Sequence, residues 1–136
     1  MKYNIVGKYV KNIDFKIPNS KSYFLLEKNI KNYKINFDIK SKNIKANIFE
    51  IDVNLKLISE KLDENSINVS VVYSTLINVE DKIEDKKELE KIILVNIPGA
   101  VYPDIRNLLI YIFEKSGFKQ ISLEKSIDFQ RLYEKN

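Results

Sequence analysis

Alternating apolar and polar residues dominate the first part of the chain. Tyr33, Ile35, Phe37 and Ile39 alternate with Lys34, Asn36, Asp38 and Lys40. A period of two sends the two sets to opposite sides of an extended backbone, so the segment reads as a strand with one apolar face. Phe49, Ile51, Val53, Leu55 and Leu57 repeat the pattern against Glu50, Asp52, Asn54 and Lys56, and Ile67 through Val79 gives a third run. The polar stretch from Glu60 to Ser66 reads as a hairpin connection between the second and third runs. An N-terminal run, Ile5 to Ile17, alternates only in part, with Ile13, Phe15 and Ile17 on one side. Four strands result, without the helical crossovers that parallel pairing requires, so the sheet is expected to be antiparallel.

The period changes in the last third. From Glu84 to Ile97, Leu89, Ile92, Ile93 and Asn96 fall at helical spacing, and Pro98-Gly99 is expected to end that helix. Pro103 suits the first position of a second helix, with Asp104 in its first turn. Ile105, Leu108, Leu109, Ile112 and Phe113 mark its apolar stripe, and Gly117 is expected to cap its end. A linker, Phe118 to Ile127, leads to a short final helix with Phe129, Leu132 and Tyr133 on one face. Strands first and helices afterwards place the chain in the α+β class. One domain over residues 1–136 is expected, a four-stranded antiparallel sheet followed by two to three helices packed on one face. Ile110 and Tyr111 fall off the second helix's stripe, so this helix is apolar over more than one face. The surplus predicts a subunit interface or a binding groove.

Composition narrows the chemistry. The 136 residues include neither cysteine nor histidine. That removes thiolate and imidazole metal ligands, the commonest nucleophile–base pairs and the usual proton shuttle at neutral pH. The chain is not read as an enzyme, and no metal or cofactor is expected. Glu80, Asp81, Glu84, Asp85 and Glu88 form the one carboxylate cluster; with Lys82, Lys86 and Lys87 between them, they read as a solvated helix start. The start of the chain lacks the apolar core of a signal peptide. The longest apolar runs, Ile92–Val95 and Leu108–Phe113, are too short to cross a bilayer, so a cytoplasmic protein without membrane insertion is expected.

Charge is uneven. Residues 1–66 carry thirteen lysines against eight carboxylates, whereas residues 67–136 are nearly balanced. Lysine, isoleucine and asparagine are all abundant, as an AT-rich coding sequence would give, so much of the lysine reads as solvated surface. Lys28, Lys31, Lys34, Lys40, Lys42 and Lys45 nevertheless surround Tyr33 and Phe37. Cations interleaved with strand aromatics are what a single-stranded nucleic-acid surface needs, and that is the alternative reading from a different class, with strongly salt-dependent binding.

Two segments carry a resemblance. Tyr9-Val10-Lys11-Asn12-Ile13-Asp14-Phe15-Lys16-Ile17-Pro18-Asn19 is an alternating strand closing on a Pro-Asn turn, and Ile97-Pro98-Gly99-Ala100-Val101-Tyr102-Pro103-Asp104-Ile105-Arg106 sets two prolines and an arginine at the opening of the long helix. Together with Gly117 to Leu123 and Ile127-Asp128-Phe129, their order and separation resemble the SecB family of protein-export chaperones over roughly residues 3–135. The resemblance implies a homotetramer built as a dimer of dimers. Its hydrophobic grooves would hold unfolded preproteins without ATP and deliver them to the SecA translocase motor. It also implies a client-binding role for Tyr33, Ile35 and Phe37, which align with groove positions on the second strand; by alternation alone these are core. Tyr102, Ile110 and Tyr111 are further groove or interface candidates, whereas Phe113 reads as core. On the first strand the family carries carboxylates that meet SecA, and this chain has Asn12 and Lys16 at those positions. Weak or absent SecA docking is therefore expected. The runner-up within the family is a chaperone dedicated to one partner, such as an antitoxin.

Overall fold

The alternating segments become four long strands in the computed structural model, which describes residues 2–30, 33–80, 85–118 and 121–135. These are β1 (Tyr3–Lys16), β2 (Tyr33–Lys45), β3 (Ile48–Ser59) and β4 (Asn68–Val79). All neighbours pair antiparallel, in the spatial order β1-β4-β3-β2. β2, β3 and β4 form a meander, and β1 lies beside β4, so the first two strands of the chain form the two edges of the sheet. The polar stretch after β3 is the β3–β4 connection, as its composition predicts.

β3 keeps the period-two pattern most strictly. Phe49, Ile51, Val53, Leu55 and Leu57 are buried on the helix side, while Glu50, Asp52 and Asn54 are half-buried on the outer side and Lys56 is exposed. Register carries this face across the sheet: Phe37 lies opposite Leu55, and Val71 lies opposite both Leu55 and Ile13. β1 alternates only in part because two register shifts, between Ile5 and Gly7 and between Val10 and Asn12, leave Val6 and Lys11 as extra residues. Each bulge inverts the alternation, so Lys8 and Val10 as well as Ile13 and Phe15 face the helices.

A helix absent from the sequence expectation connects the two edge strands. α1 (Ser20–Asn29) is capped by Asn19, whose Oδ1 accepts from the Ser22 N–H at 2.9 Å. Among its described side chains it buries Ser22 and Leu26 alone, while Phe24 stays 75% exposed, so its apolar stripe is too narrow to announce a helical period.

The last third also departs from expectation. α2 (Lys86–Lys91), a π-turn (Ile92–Asn96) and α3 (Ile97–Lys115) follow without interruption, and neither Pro98 nor Pro103 ends the helix. A proline inside an α-helix lacks an N–H and clashes with the carbonyl four residues back. Here the wider π-turn, closed by the Ile97 N–H on the Ile92 carbonyl, comes immediately before Pro98 and gives its ring room. Pro103 and Gly99 are both exposed, so the carbonyl that Pro103 leaves without a donor lies where water reaches it. The helix starts at Lys86, because Asp85 caps it by accepting from the N–H groups of Lys87 and Glu88 at 3.1 Å. Asp81 and Glu84 of the carboxylate cluster lie outside the described residues.

α3 lays its buried row, Ile97, Val101, Ile105, Leu109 and Phe113, on the sheet in steps of four. Leu108 and Ile112, expected in that stripe, are only half-buried. Gly117, at φ 100°, ends the helix as expected. The Phe118 N–H bonds back to the Phe113 carbonyl at 3.0 Å, and the Gly117 N–H to that of Glu114 at 3.2 Å. This double closure needs a left-handed residue, which glycine supplies without a Cβ penalty. α4 (Phe129–Glu134) follows the linker, with Asp128 accepting from the Arg131 N–H at 3.0 Å.

Candidate functional site

β2 forms one edge of the sheet, with no partner strand on its outer side among the described residues. Its helix-facing side chains, Tyr33, Ile35, Phe37 and Ile39, are all half-buried, whereas the corresponding row on central β3 is fully buried. Among the described residues the helices and the linker after α3 leave this row incompletely covered, and what remains is a groove running along β2.

Three depressions follow one another along it. The first, about 800 Å³, is bordered by Tyr33, Ile35, Leu57, Leu123 and Ile127, with Lys34, Arg106 and Lys125 at its rim. The second, about 410 Å³, lies between Ile35 and Phe37 on the strand and Ile127 and Leu132 opposite, with Arg131 and Lys135 beside them. Ile35, Glu124 and Ile127 border both, so the two are continuous. The third, about 230 Å³, sets Ile39 and Ser41 against Leu89, Ile93 and Leu94 of α2 and the π-turn.

The linker after α3 makes the far wall, and two side chains of α3 hold it in place. Arg106 donates from Nε to the Leu123 carbonyl at 3.2 Å, and the Tyr102 hydroxyl donates to the Glu124 carbonyl. Burial raises the pKa of the Tyr102 phenol, which keeps it a donor at any ordinary pH. Leu123 and Phe129 are buried beneath the wall, at 8% and 4% exposure.

Phe37 belongs to both groove and core. Its ring meets Phe129 edge-on at 4.9 Å between centroids and Tyr102 at 5.9 Å, while its upper side borders the second depression. Tyr33 is similarly divided: its hydroxyl accepts from the Ile67 N–H at 2.9 Å, and its ring borders the first depression.

The other sequence candidates are distributed differently. Tyr102 is buried at 2% exposure and supports the groove from beneath without lining it, because its hydroxyl is spent on the linker backbone. Ile110 is half-buried, one turn beyond Arg106 on the linker side of α3. Tyr111 is 58% exposed, with the Lys115 ammonium 5.6 Å from its ring centroid. It lies two turns beyond Asp104, which pairs with Lys8 of β1 at 3.1 Å, and so belongs to the β1 side of the helix, away from β2. Ile39, Leu89, Ile93, Leu123, Ile127 and Leu132 line the groove as well. Ile39, Leu89 and Ile93 carried a periodic signal; Leu123 and Ile127, in an aperiodic linker, carried none.

Asn12 and Lys16 are exposed on β1, on the outer face with Asp14; Asn12 donates to the Asp14 carboxylate at 3.1 Å. Carboxylates do occupy this outer face, on β3, but they are already engaged. Lys11, the bulge residue, reaches over β4 to Glu50 and Asp52, 2.9 Å from each, and the Tyr9 hydroxyl donates to Glu50 at 2.6 Å. The hydrogen bonds from Lys11 and then Tyr9 lower the pKa of Glu50, and those to Glu50 and then Asp52 raise that of Lys11.

β1 forms the opposite edge and exposes apolar surface along its length. Ile5, Val6, Tyr9, Val10 and Ile13 range from 39% to 57% exposed. No helix among the described residues is long and apolar enough to cross a membrane.

Comparison with known proteins adds the family. The family model described as preprotein translocase subunit SecB matches residues 1–136. A Pelagibacter ubique protein assigned as a protein-export SecB is 33% identical over 131 residues, covering 96% of this chain and 94% of its own. The protein-export protein SecB of Anaplasma phagocytophilum is 24% identical over 147 residues, covering 98% and 92%. Among solved structures, the SecB-like chaperone of Mycobacterium tuberculosis in complex with a ChAD peptide from an antitoxin superposes with a TM-score of 0.68 at 14% identity, over 92% of this chain and 88% of that one. A Streptococcus agalactiae protein of unknown function gives 0.54, also at 14% identity, over 91% and 98%. At those identities the two structures speak to the fold alone.

Proposed function

This chain belongs to the SecB family of chaperones, and on that premise we propose that it is an ATP-independent holdase, one chaperone domain over residues 1–136, that keeps preproteins unfolded in the cytoplasm for Sec-dependent export. The observation that carries the reading is the groove: an open strand edge with a half-buried aromatic and aliphatic row, continuous from Tyr33 through Ile39. A holdase needs apolar surface without strict sequence discrimination, and rigid aromatics such as Phe37 give contact area at low entropy cost. Tyr33, Ile35 and Phe37 are its client-binding residues, and catalysis has no part in it.

Assembly as a homotetramer is part of the proposal. The apolar β1 edge, with Tyr111 on the same side of α3, supports it as the subunit contact. Light scattering of the purified protein, with and without a chemically unfolded polypeptide, tests both points. Suppression of aggregation at stoichiometric amounts by a tetramer is the expected result. A monomer that leaves aggregation unchanged would overturn it.

Docking to SecA is weak in this reading, because Asn12 and Lys16 replace carboxylates and Lys11 already pairs with Glu50 and Asp52 on the same face. Calorimetry against a basic SecA tail peptide should give little heat for the wild type and measurable binding for Lys16→Glu. Tight wild-type binding that the variant fails to improve would remove this point. The solved neighbour's antitoxin peptide favours a second reading, a chaperone dedicated to one partner. Suppression of aggregation for only one of several unrelated unfolded proteins would select it.

A further inference from the structure

The lysines around β2 have no part in the reading so far. On the strand Lys34, Asn36, Asp38, Lys40 and Lys42 alternate with Tyr33, Ile35, Phe37, Ile39 and Ser41 and leave the backbone on the side away from the groove, although Lys34 also borders the first depression. Among the described residues the ion pairs of Lys34 and Lys40 are long and exposed, 3.6 Å to Glu60 and 4.0 Å to Asp38, and Asp52 and Glu50, which lie opposite Lys40 and Lys42 on β3, are held by Lys11. Charges this exposed are screened by water and gain little from such pairs, so they are free to re-pair. On the groove side, Arg106 and Lys125 rim the first depression, and Arg131 and Lys135 the second. The same walls carry two carboxylates, Glu124 at both depressions and Asp128, which is engaged as the cap of α4, so the cations there outnumber the acids.

We infer that the groove selects extended segments that alternate apolar residues with carboxylates, a refinement that rests on the holdase reading. A segment lying along the open β2 edge places residues opposite Tyr33, Ile35, Phe37 and Ile39 on the groove side, and the intervening residues beside Lys34, Asn36, Asp38, Lys40 and Lys42, where three lysines face one carboxylate. Opposite charges across neighbouring strands stabilise the pair and like charges destabilise it. The same alternation that buries the client's apolar face therefore presents its polar face to lysines. A segment with lysine or arginine at those positions meets like charge along the strand and at the rim. A nucleic-acid strand fits less well. The Phe37 ring lies on the other face from the lysines and packs edge-on into Phe129 and Tyr102, so it offers bases no stacking platform beside the cations.

Three fluorescent peptides of about twelve residues test this, each with leucine and phenylalanine at alternate positions. The intervening positions carry Glu in one, Gln in the second and Lys in the third. Anisotropy titrations should rank Glu above Gln above Lys, with about tenfold between the first two at low salt and a narrower gap at high salt. In the double variant Lys34→Glu with Lys40→Glu, the order of the Glu and Lys peptides should invert. Equal binding of all three, or tightest binding of the Lys peptide, overturns the charge selection while the holdase reading stands. Binding of none overturns both. Oligothymidylate bound more tightly than the Glu peptide, and released by the double variant, overturns it in favour of nucleic acid.

Discussion

The two edges of the sheet answer the same physical problem in opposite ways. An edge strand presents unpaired backbone groups and invites pairing with another chain. β2 keeps an unbroken alternation from Tyr33 to Lys40, with one half-buried face and one polar face. β1 carries two bulges and exposes apolar residues on both faces, Val10 and Ile13 toward the helices and Tyr9 toward Glu50. A regular edge with repeated depressions suits many extended chains, since any register two residues apart is equivalent. A bulged edge has one shape, so only a surface made for it will fit. Under the proposed function, the difference would separate a place to hold clients from a place to meet another subunit.

Four changes break or sharpen that division. The largest effect is expected from Val6→Asp, on the bulged edge. Val6 is 57% exposed in the chain, so folding should survive. Burying a charge in an apolar subunit contact should cost about 3 kcal/mol or more, over a hundredfold in assembly. Sedimentation should show smaller species at the concentration where the wild type is assembled. An unchanged mass would mean that β1 is not the contact.

Phe37→Ala comes next, at the regular edge. Loss of the edge-on contacts to Phe129 and Tyr102 should cost about 2 kcal/mol, less than for a fully buried phenylalanine, and client affinity should fall as well. Thermal melts run beside binding titrations separate the two contributions. A large melt shift with unchanged binding by the folded variant would make Phe37 core alone.

Ala46, in the turn that joins β2 to β3, has φ 45°, a left-handed conformation that costs an alanine. Ala46→Gly should raise stability by up to about 1 kcal/mol and slow hydrogen exchange in β2 and β3 without altering assembly. No gain in melting temperature would show that the strain is relieved elsewhere.

The smallest effect belongs to Lys11→Met. The folded pKa of Glu50 is lowered, so its contribution is present above the ordinary carboxylate range and lost as pH falls through the folded value. That of Lys11 is raised, so its contribution is complete below the ordinary lysine range and lost as pH rises through the folded value. Wild type and variant should therefore differ slightly across neutral pH and converge in acid and in strong alkali. With no histidine in the chain, both melting curves should be flat from pH 6 to 8. A step there would point to a titrating group elsewhere.

Much of the sheet was legible because β2, β3 and β4 each keep one apolar row toward the helices, and a period of two survives in the sequence wherever that holds. β1 was legible only in part, since Val6 and Lys11 each shift the alternation by one residue. α1 was not legible, because a helix that buries little more than Leu26 and Ser22 leaves no stripe. The long helix was read as two because prolines break isolated helices, whereas here a π-turn accommodates Pro98. At the groove, Tyr33, Ile35 and Phe37 lay in a periodic run, but nothing local distinguished them from core. That distinction depends on β2 being an edge, a property of sheet order. Leu123 and Ile127 owe their positions to backbone carbonyls held by Arg106 and Tyr102, a contact between segments that no spacing encodes.

The π-turn between Ile92 and Asn96 has a consequence for how the helix is phased. An α-helix advances about 100° per residue, so one extra residue in a turn rotates everything after it by about that angle relative to everything before. Leu89 reaches the third depression from the near side of that offset and Ile93 from within the turn, whereas Tyr102 and Arg106 reach the linker from the far side. One continuous rod thereby shows two aspects to the same groove, and the angle between them is stored in a single surplus residue.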